Sequence, residues 1–144
     1  MVANDNLSSI YVPLRLAFGL VPIVAGADKF FNLLVHWDKY LPANAATMLP
    51  VSPQTFMMIV GIIEIVAGLA VLTFLTRLGA YIVMIWLAAI AVVLLVGGYY
   101  DIAVRDLMMA LGAYTLGQVS ALRGDRWLPF APRTGGVSTQ AVAR

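Results

Sequence analysis

Glu64 stands near the middle of "QTFMMIVGIIEIVAGLAVLTFL" (residues 54–75) and is the only charged group in those 22 residues. A helix crosses the hydrocarbon layer of a bilayer in about 20 apolar residues. A carboxylate halfway along such a helix costs about 3 kcal/mol on insertion scales. A chain that keeps one has three uses for it: structural pairing, ligand binding or proton handling. Arg15, Lys29, Arg105 and Asp106 are further charges embedded in or beside apolar runs, and Gln118 is a hydrogen-bond donor of the same kind. On helices, Arg15, Gly19, Pro22, Gly26 and Lys29 fall on one face, Gly61, Glu64 and Gly68 on another, and Asp106, Ala110, Ala113 and Gly117 on a third. Small residues let helices approach closely in lipid, so these charges ride on expected contact faces.

Depth suggests how they pair. At about 1.5 Å per residue, Glu64 lies about 16 Å from the end of its helix nearest Arg77, and Arg15 about 8 Å from the same end of its own. Arg15, reaching toward the bilayer centre, is the expected partner of Glu64, since no other base lies near that depth. Lys29, Arg105 and Asp106 belong near the opposite surface, where an ion pair between the first and last helices is expected. Each has a plainer reading as well. A buried Glu–Arg pair fixes helix register without doing chemistry, and a lysine at a helix end snorkels to the interface. His36 beside Trp37 reads as an interface residue, Gln118 as a helix-contact residue or a donor to a buried group, and the Met pairs at 57/58 and 108/109 as adaptable packing.

The elements that must position these residues follow from composition. Of 144 residues, 62% are hydrophobic and 11% charged, with a mean hydropathy of +0.91. Soluble domains carry about 25% charged residues, so the fold class is an all-α integral membrane protein, a four-transmembrane-helix bundle. The expected order is a polar N-terminal segment at 1–9, a membrane domain at 10–122 with spans near 10–35, 54–75, 78–98 and 102–122, and a basic tail at 123–144. Pro22 should bend the first span. "HWDKYLPANAATMLPVSPQ" is too rich in proline and small residues for a further span and is expected to lie as a lid over one mouth of the bundle. The tail, with Gly, Pro and Ser spread through it, is expected to be mobile on its own.

Six of the nine basic residues (Arg15, Arg77, Arg123, Arg126, Arg133 and Arg144) fall on one side, which places both termini in the cytoplasm. Trp37, Tyr40, Tyr99 and Tyr100 form the outer aromatic belt, with Tyr11 and Trp127 on the inner one. The net charge of +2 is accounted for by this asymmetry, and no nucleic-acid partner is expected. "MVANDNLSS" has no basic residue and Arg15 breaks the apolar run after it, so a retained first span is expected over a cleaved signal peptide. With no cysteine and one histidine, thiolate metal sites and bis-histidine haem within one copy are excluded. No metal and no covalently bound cofactor is expected.

"LRLAFGLVPIVAGADKF" resembles the first helix of the DoxX-like family, with its L-R-L start and G-x-x-K ending. "GIIEIVAGLAVL" is similar to that family's second-helix pattern, and "TRLGA" and "RDLMMALGA" to its later landmarks, over residues 10 to 122 in all. The resemblance implies a four-helix bundle of the bacterial cytoplasmic (inner) membrane, related to the membrane subunit of thiosulfate:quinone oxidoreductase. Arg15, Lys29, Glu64, Arg105 and Asp106 are the positions it carries over. Without cysteine, sulfur chemistry on the protein is unsupported, whereas quinone binding needs only an apolar cleft with a few polar groups. The expected function is a small membrane subunit of a larger redox complex, contacting quinone or lipid and partner helices or a second copy of itself. The alternative is a quinone-linked oxidoreductase using the buried Glu/Arg cluster as a proton relay. A small transporter is the third reading, disfavoured because no pair of broken helices is evident.

Overall fold

The computed structural model describes residues 2–128, without the side chains of residues 2–6 and Asn44. Residues 129–144, most of the expected basic tail including Arg133 and Arg144, lie outside the described residues. The order of elements is α1 (Val2–Phe31), a 3-10 turn (Trp37–Tyr40), the short α2 (Ala43–Met48), α3 (Pro53–Leu72), α4 (Thr76–Val96) and α5 (Tyr100–Leu122). No strand occurs among the described residues. Among the described residues, three helices are long and apolar enough to cross a membrane: α1 over Leu7–Phe31, α3 and α4. At 23 residues α5 is as long, but it carries Asp101, Arg105, Asp106 and Gln118.

Local chemistry sets the boundaries. The hydroxyl of Ser52 accepts the Thr55 N–H at 3.1 Å and Pro53 takes the first helical position, so α3 starts there. α1 starts at Val2, so the polar segment is helical and continuous with the first span, and Pro13 and Pro22 both lie inside it. It ends at Phe31 because Asn32 adopts a left-handed φ of 52° and the Asp28 carboxylate accepts the Leu33 and Leu34 N–H groups. The side chain of Asp28 thereby replaces the carbonyls that would have continued the helix.

The closest helix pairs are α1 with α3 and α4 with α5; α3 meets α4, and α1 meets α5, less intimately. Inside is small: Ala67, Ala80, Ala91, Ala103, Ala110 and Ala113 are buried. Outside is large and apolar: Leu20, Val24, Ile62, Val66, Ile85, Val92 and Leu111 are exposed. Such an inverted distribution suits helices packed in lipid, where close approach matters more than hiding hydrocarbon. At the crossing of α1 and α3, a Cβ on Gly26 would sit 2.5 Å from the Gly61 carbonyl oxygen, and one on Gly61 equally close to that of Gly26. Two turns along, a Cβ on Gly68 would meet the Gly19 carbonyl oxygen, while one on Gly19 would meet the Leu72 side chain. Glycine is required here because backbone touches backbone.

The connection after α1 folds back over one end of the bundle, as its composition suggests. The rings of Tyr40 and Tyr99 meet edge to face at 5.2 Å, and the Tyr99 hydroxyl donates to the Lys39 carbonyl at 2.7 Å. At the other end Tyr81 stacks on Trp127 at 5.2 Å, with the Arg77 guanidinium 4.1 Å above the Trp127 ring. Aromatics therefore gather at the two ends: Tyr40 and Tyr99 pair as members of one expected group, with Tyr100 exposed, while Trp127 stacks on Tyr81, which was not among the expected residues.

Candidate functional site

Glu64 is buried at 7% exposure and faces α1, but its partner is not Arg15. Its Oε2 lies 2.6 Å from Nζ of Lys29, itself 3% exposed. This corrects the pairing expected from depth, and the reason is the direction in which side chains leave a helix. Each Cα–Cβ bond tilts toward its own N-terminus. α1 and α3 run antiparallel, so Lys29 leans back toward the bundle centre, touching the Ala25 carbonyl at 3.5 Å, while Glu64 leans toward the lid. The two converge. Arg15 leans away from Glu64 and instead spreads over the last turn of α3. Its Nε donates to the Val71 carbonyl at 3.1 Å, and Nη2 to those of Leu72 at 2.7 Å and Thr73 at 2.8 Å. Those carbonyls have no partner within their own helix, and the negative end of the helix dipole favours a cation there.

The Lys29 ammonium has a roof. The Trp37 ring lies 3.8 Å from Nζ, and the Trp37 indole N–H donates to Asp28 Oδ2 at 2.8 Å. One carboxylate thus ends α1, shapes the turn after it and holds the ring that covers the next residue's charge. Gln54 of α3 completes the seam, donating to the Lys29 carbonyl at 3.3 Å. Trp86 of α4 is close enough to interact with the Glu64 carboxylate, but its buried N–H stands outside hydrogen-bond geometry and has no partner.

From α5, Asp106 is buried and within electrostatic reach of both Lys29 and Glu64. Its nearest base is Arg105, at 3.8 Å, whose side chain is 68% exposed. The expected ion pair between the first and last helices is therefore not formed. Lys29 lies in the tighter seam, that of α1 with α3, and its ammonium is taken by Glu64. Four long helices converge on one lysine, two acids and an unpartnered indole N–H. Gln118 is elsewhere, donating to the Tyr81 hydroxyl at 3.0 Å near the opposite end. His36 precedes the 3-10 turn and makes no side-chain cap.

Asp28, Trp37 and Trp86 belong to the cluster although their types and spacing did not single them out. A signal existed for two of them: a tryptophan inside an apolar span needs an acceptor for its N–H, and an acid just before Asn32 at a helix end is a turn former. Among the described residues no three His, Cys, Asp or Glu side chains are grouped to hold a metal ion. What the cluster can do is hold charge in a low-dielectric site, with the Lys29 ammonium on Glu64 and the Asp106 carboxylate within electrostatic reach of both.

The family model DoxX matches residues 10–97, more than half of the chain. The match takes in Arg15, Lys29, Glu64 and Trp86 and stops before α5, so Arg105, Asp106 and Gln118 lie beyond it. No curated protein and no solved structure matches this chain. With its three apolar helices in contact with lipid and its family model running from α1 to the end of α4, this multi-pass membrane protein belongs to the DoxX family.

Proposed function

We propose that the chain is a four-span bundle of the bacterial inner membrane, both termini cytoplasmic, and a small subunit of a larger membrane redox complex. It carries no cofactor of its own and contacts quinone or lipid and partner helices. The surface of α5 is the observation that carries this reading. Asp101, Arg105, Thr115 and Gln118 are exposed along that helix, in contrast to the apolar outward faces of α3 and α4. Val104, Met108, Leu111 and Leu122 are exposed on the same helix, which supports its lying in lipid as a fourth span. Polar side chains scattered among those apolar ones are costly against hydrocarbon and favourable against a partner helix with hydrogen-bonding groups. The partner is a different membrane subunit or a second copy.

Copurification from mild detergent tests this. A larger assembly containing redox proteins, lost on Arg105→Leu with Gln118→Leu while the chain stays folded, is expected. Recovery only as a monomer would end the subunit reading.

A second reading, a quinone-linked oxidoreductase, is favoured by the cluster of Lys29, Glu64 and Asp106. One ammonium facing two carboxylates leaves room for a proton, and an acid that titrates inside a membrane is suited to relay protons to a reduced quinone. The free Trp86 N–H could serve a quinone carbonyl. Glu64→Gln keeps the shape and removes the proton; unchanged quinone-dependent turnover in that variant would take Glu64 out of such a relay.

A further inference from the structure

Two ends of the bundle lead to the Lys29–Glu64 pair, and they differ. Toward the Arg15 end the way is filled with hydrocarbon. Past Glu64 on α3 come Ala67 and Val71, past Asp106 on α5 come Ala113 and Leu116, and before Trp86 on α4 comes Val83. All five are buried and pack in one apolar core. A pocket of about 260 Å³ enters the bundle at that end, lined by Arg15, Thr73 and Thr76 among others, and neither the pair nor Asp106 borders it.

Toward the lid the groups are polar. Asp28 and Gln54 flank Lys29, Gln54 through its 3.3 Å bond to the Lys29 carbonyl, and Lys29 leads to Glu64. On the α4–α5 side of this end, Ala91, Leu94 and Ala103 close a second apolar core with Tyr40 and Tyr99, which confines the polar approach to the α1–α3 side. There Trp37 is the cover, its ring 3.8 Å from the ammonium and its N–H on Asp28 at 2.8 Å. No residue of 32–52 whose side chain is described is buried, so the lid rests on the bundle without sinking into it. Segments with so little buried contact open at low cost.

We infer that Lys29, Glu64 and Asp106 form a one-sided polar site, reached by water and small hydrophilic solutes from the lid end through a gate made by Trp37. The apolar core seals it from the other end. Trp37 suits a gate because its two holds release together: the ring leaves the ammonium as the indole N–H leaves Asp28. One-sided access fits either reading of function and adds the side of the membrane from which the cluster is served.

The chain has no cysteine, so one introduced thiol is the sole target of a thiol reagent. Full-length protein carrying Asp106→Cys is treated, in right-side-out and in inverted membrane vesicles, with a membrane-impermeant cationic methanethiosulfonate, and modification is timed by mass. Met48→Cys, at a lid position 85% exposed, marks which vesicles present the lid. Modification from the lid face alone, about fivefold faster once Trp37→Ala is added, is the expected result; loss of an ordinary cation–π contact corresponds to that factor. Met57→Cys, buried on the Glu64 face of α3 two turns nearer the lid, changes no charge and repeats the test where Asp106→Cys does not fold. Modification from the face opposite the lid, no acceleration by Trp37→Ala, or no modification of either thiol would overturn the inference.

Discussion

Lys29 and Arg15 begin from the same place. They lie on one stripe of one helix, spaced fourteen residues apart with glycines between them, and both lean toward the N-terminus of α1. Yet Lys29 ends in a closed box of Glu64, Trp37 and the Ala25 carbonyl. Arg15 ends at a pocket mouth, spread over three backbone carbonyls. The helix opposite makes the difference. Where α3 offers a carboxylate tilted toward the approaching ammonium, a buried ion pair forms; where it offers its own frayed end, the cation becomes a cap. Position along a stripe decides which face a charge occupies, and the tilt of two antiparallel helices decides what it meets.

The seam that holds both cations breaks most completely at the glycines. Gly61→Val would press a branched side chain into the Gly26 carbonyl and the Lys29 Cβ. Separating the helices there also unpairs Lys29 and Glu64, so a loss of about 4 kcal/mol or more is expected in detergent unfolding. Glu64→Leu alone strands a buried ammonium at the closed end and should cost about 3 to 5 kcal/mol by the same measurement.

At the open end the effect is smaller. Arg15→Gln removes a charge-assisted cap whose carbonyls have water within reach, with an expected loss of about 1 to 2 kcal/mol. Hydrogen exchange should speed up over the last turn of α3 and leave the Glu64 region protected. Trp37→Leu takes the roof from Lys29 and the donor from Asp28, at about 1 kcal/mol. Faster exchange confined to residues 32–48 would mark it as a lid residue.

Much of the frame was legible beforehand. Runs of apolar residues marked α1, α3 and α4, and the glycine and alanine stripes marked their contact faces, because both properties are local and periodic. The lid was legible from its prolines, and the gathering of Tyr40 with Tyr99 follows from what aromatics do at helix ends; the stacking of Tyr81 on Trp127 was not singled out by the sequence. The partner of Glu64 was not, since counting residues from a helix end measures the depth of a Cα and ignores the 5 Å or so by which a long side chain departs from it. Asp28 was hidden for a related reason: its role depends on the left-handed turn at Asn32, a backbone event four residues away. Trp86 reached the cluster only through the packing of α4, which no single helix specifies.

The two cations can be compared directly by double-mutant cycles against Glu64. Unfolding free energies are measured in one detergent for Lys29→Leu, Arg15→Leu and Glu64→Leu, and for the two double variants that share Glu64→Leu. The account predicts a coupling of about 2 kcal/mol or more between Lys29 and Glu64, with the double variant recovering much of the single-variant loss, and a coupling within about 0.5 kcal/mol between Arg15 and Glu64. A strong coupling to Arg15 with none to Lys29 would contradict it.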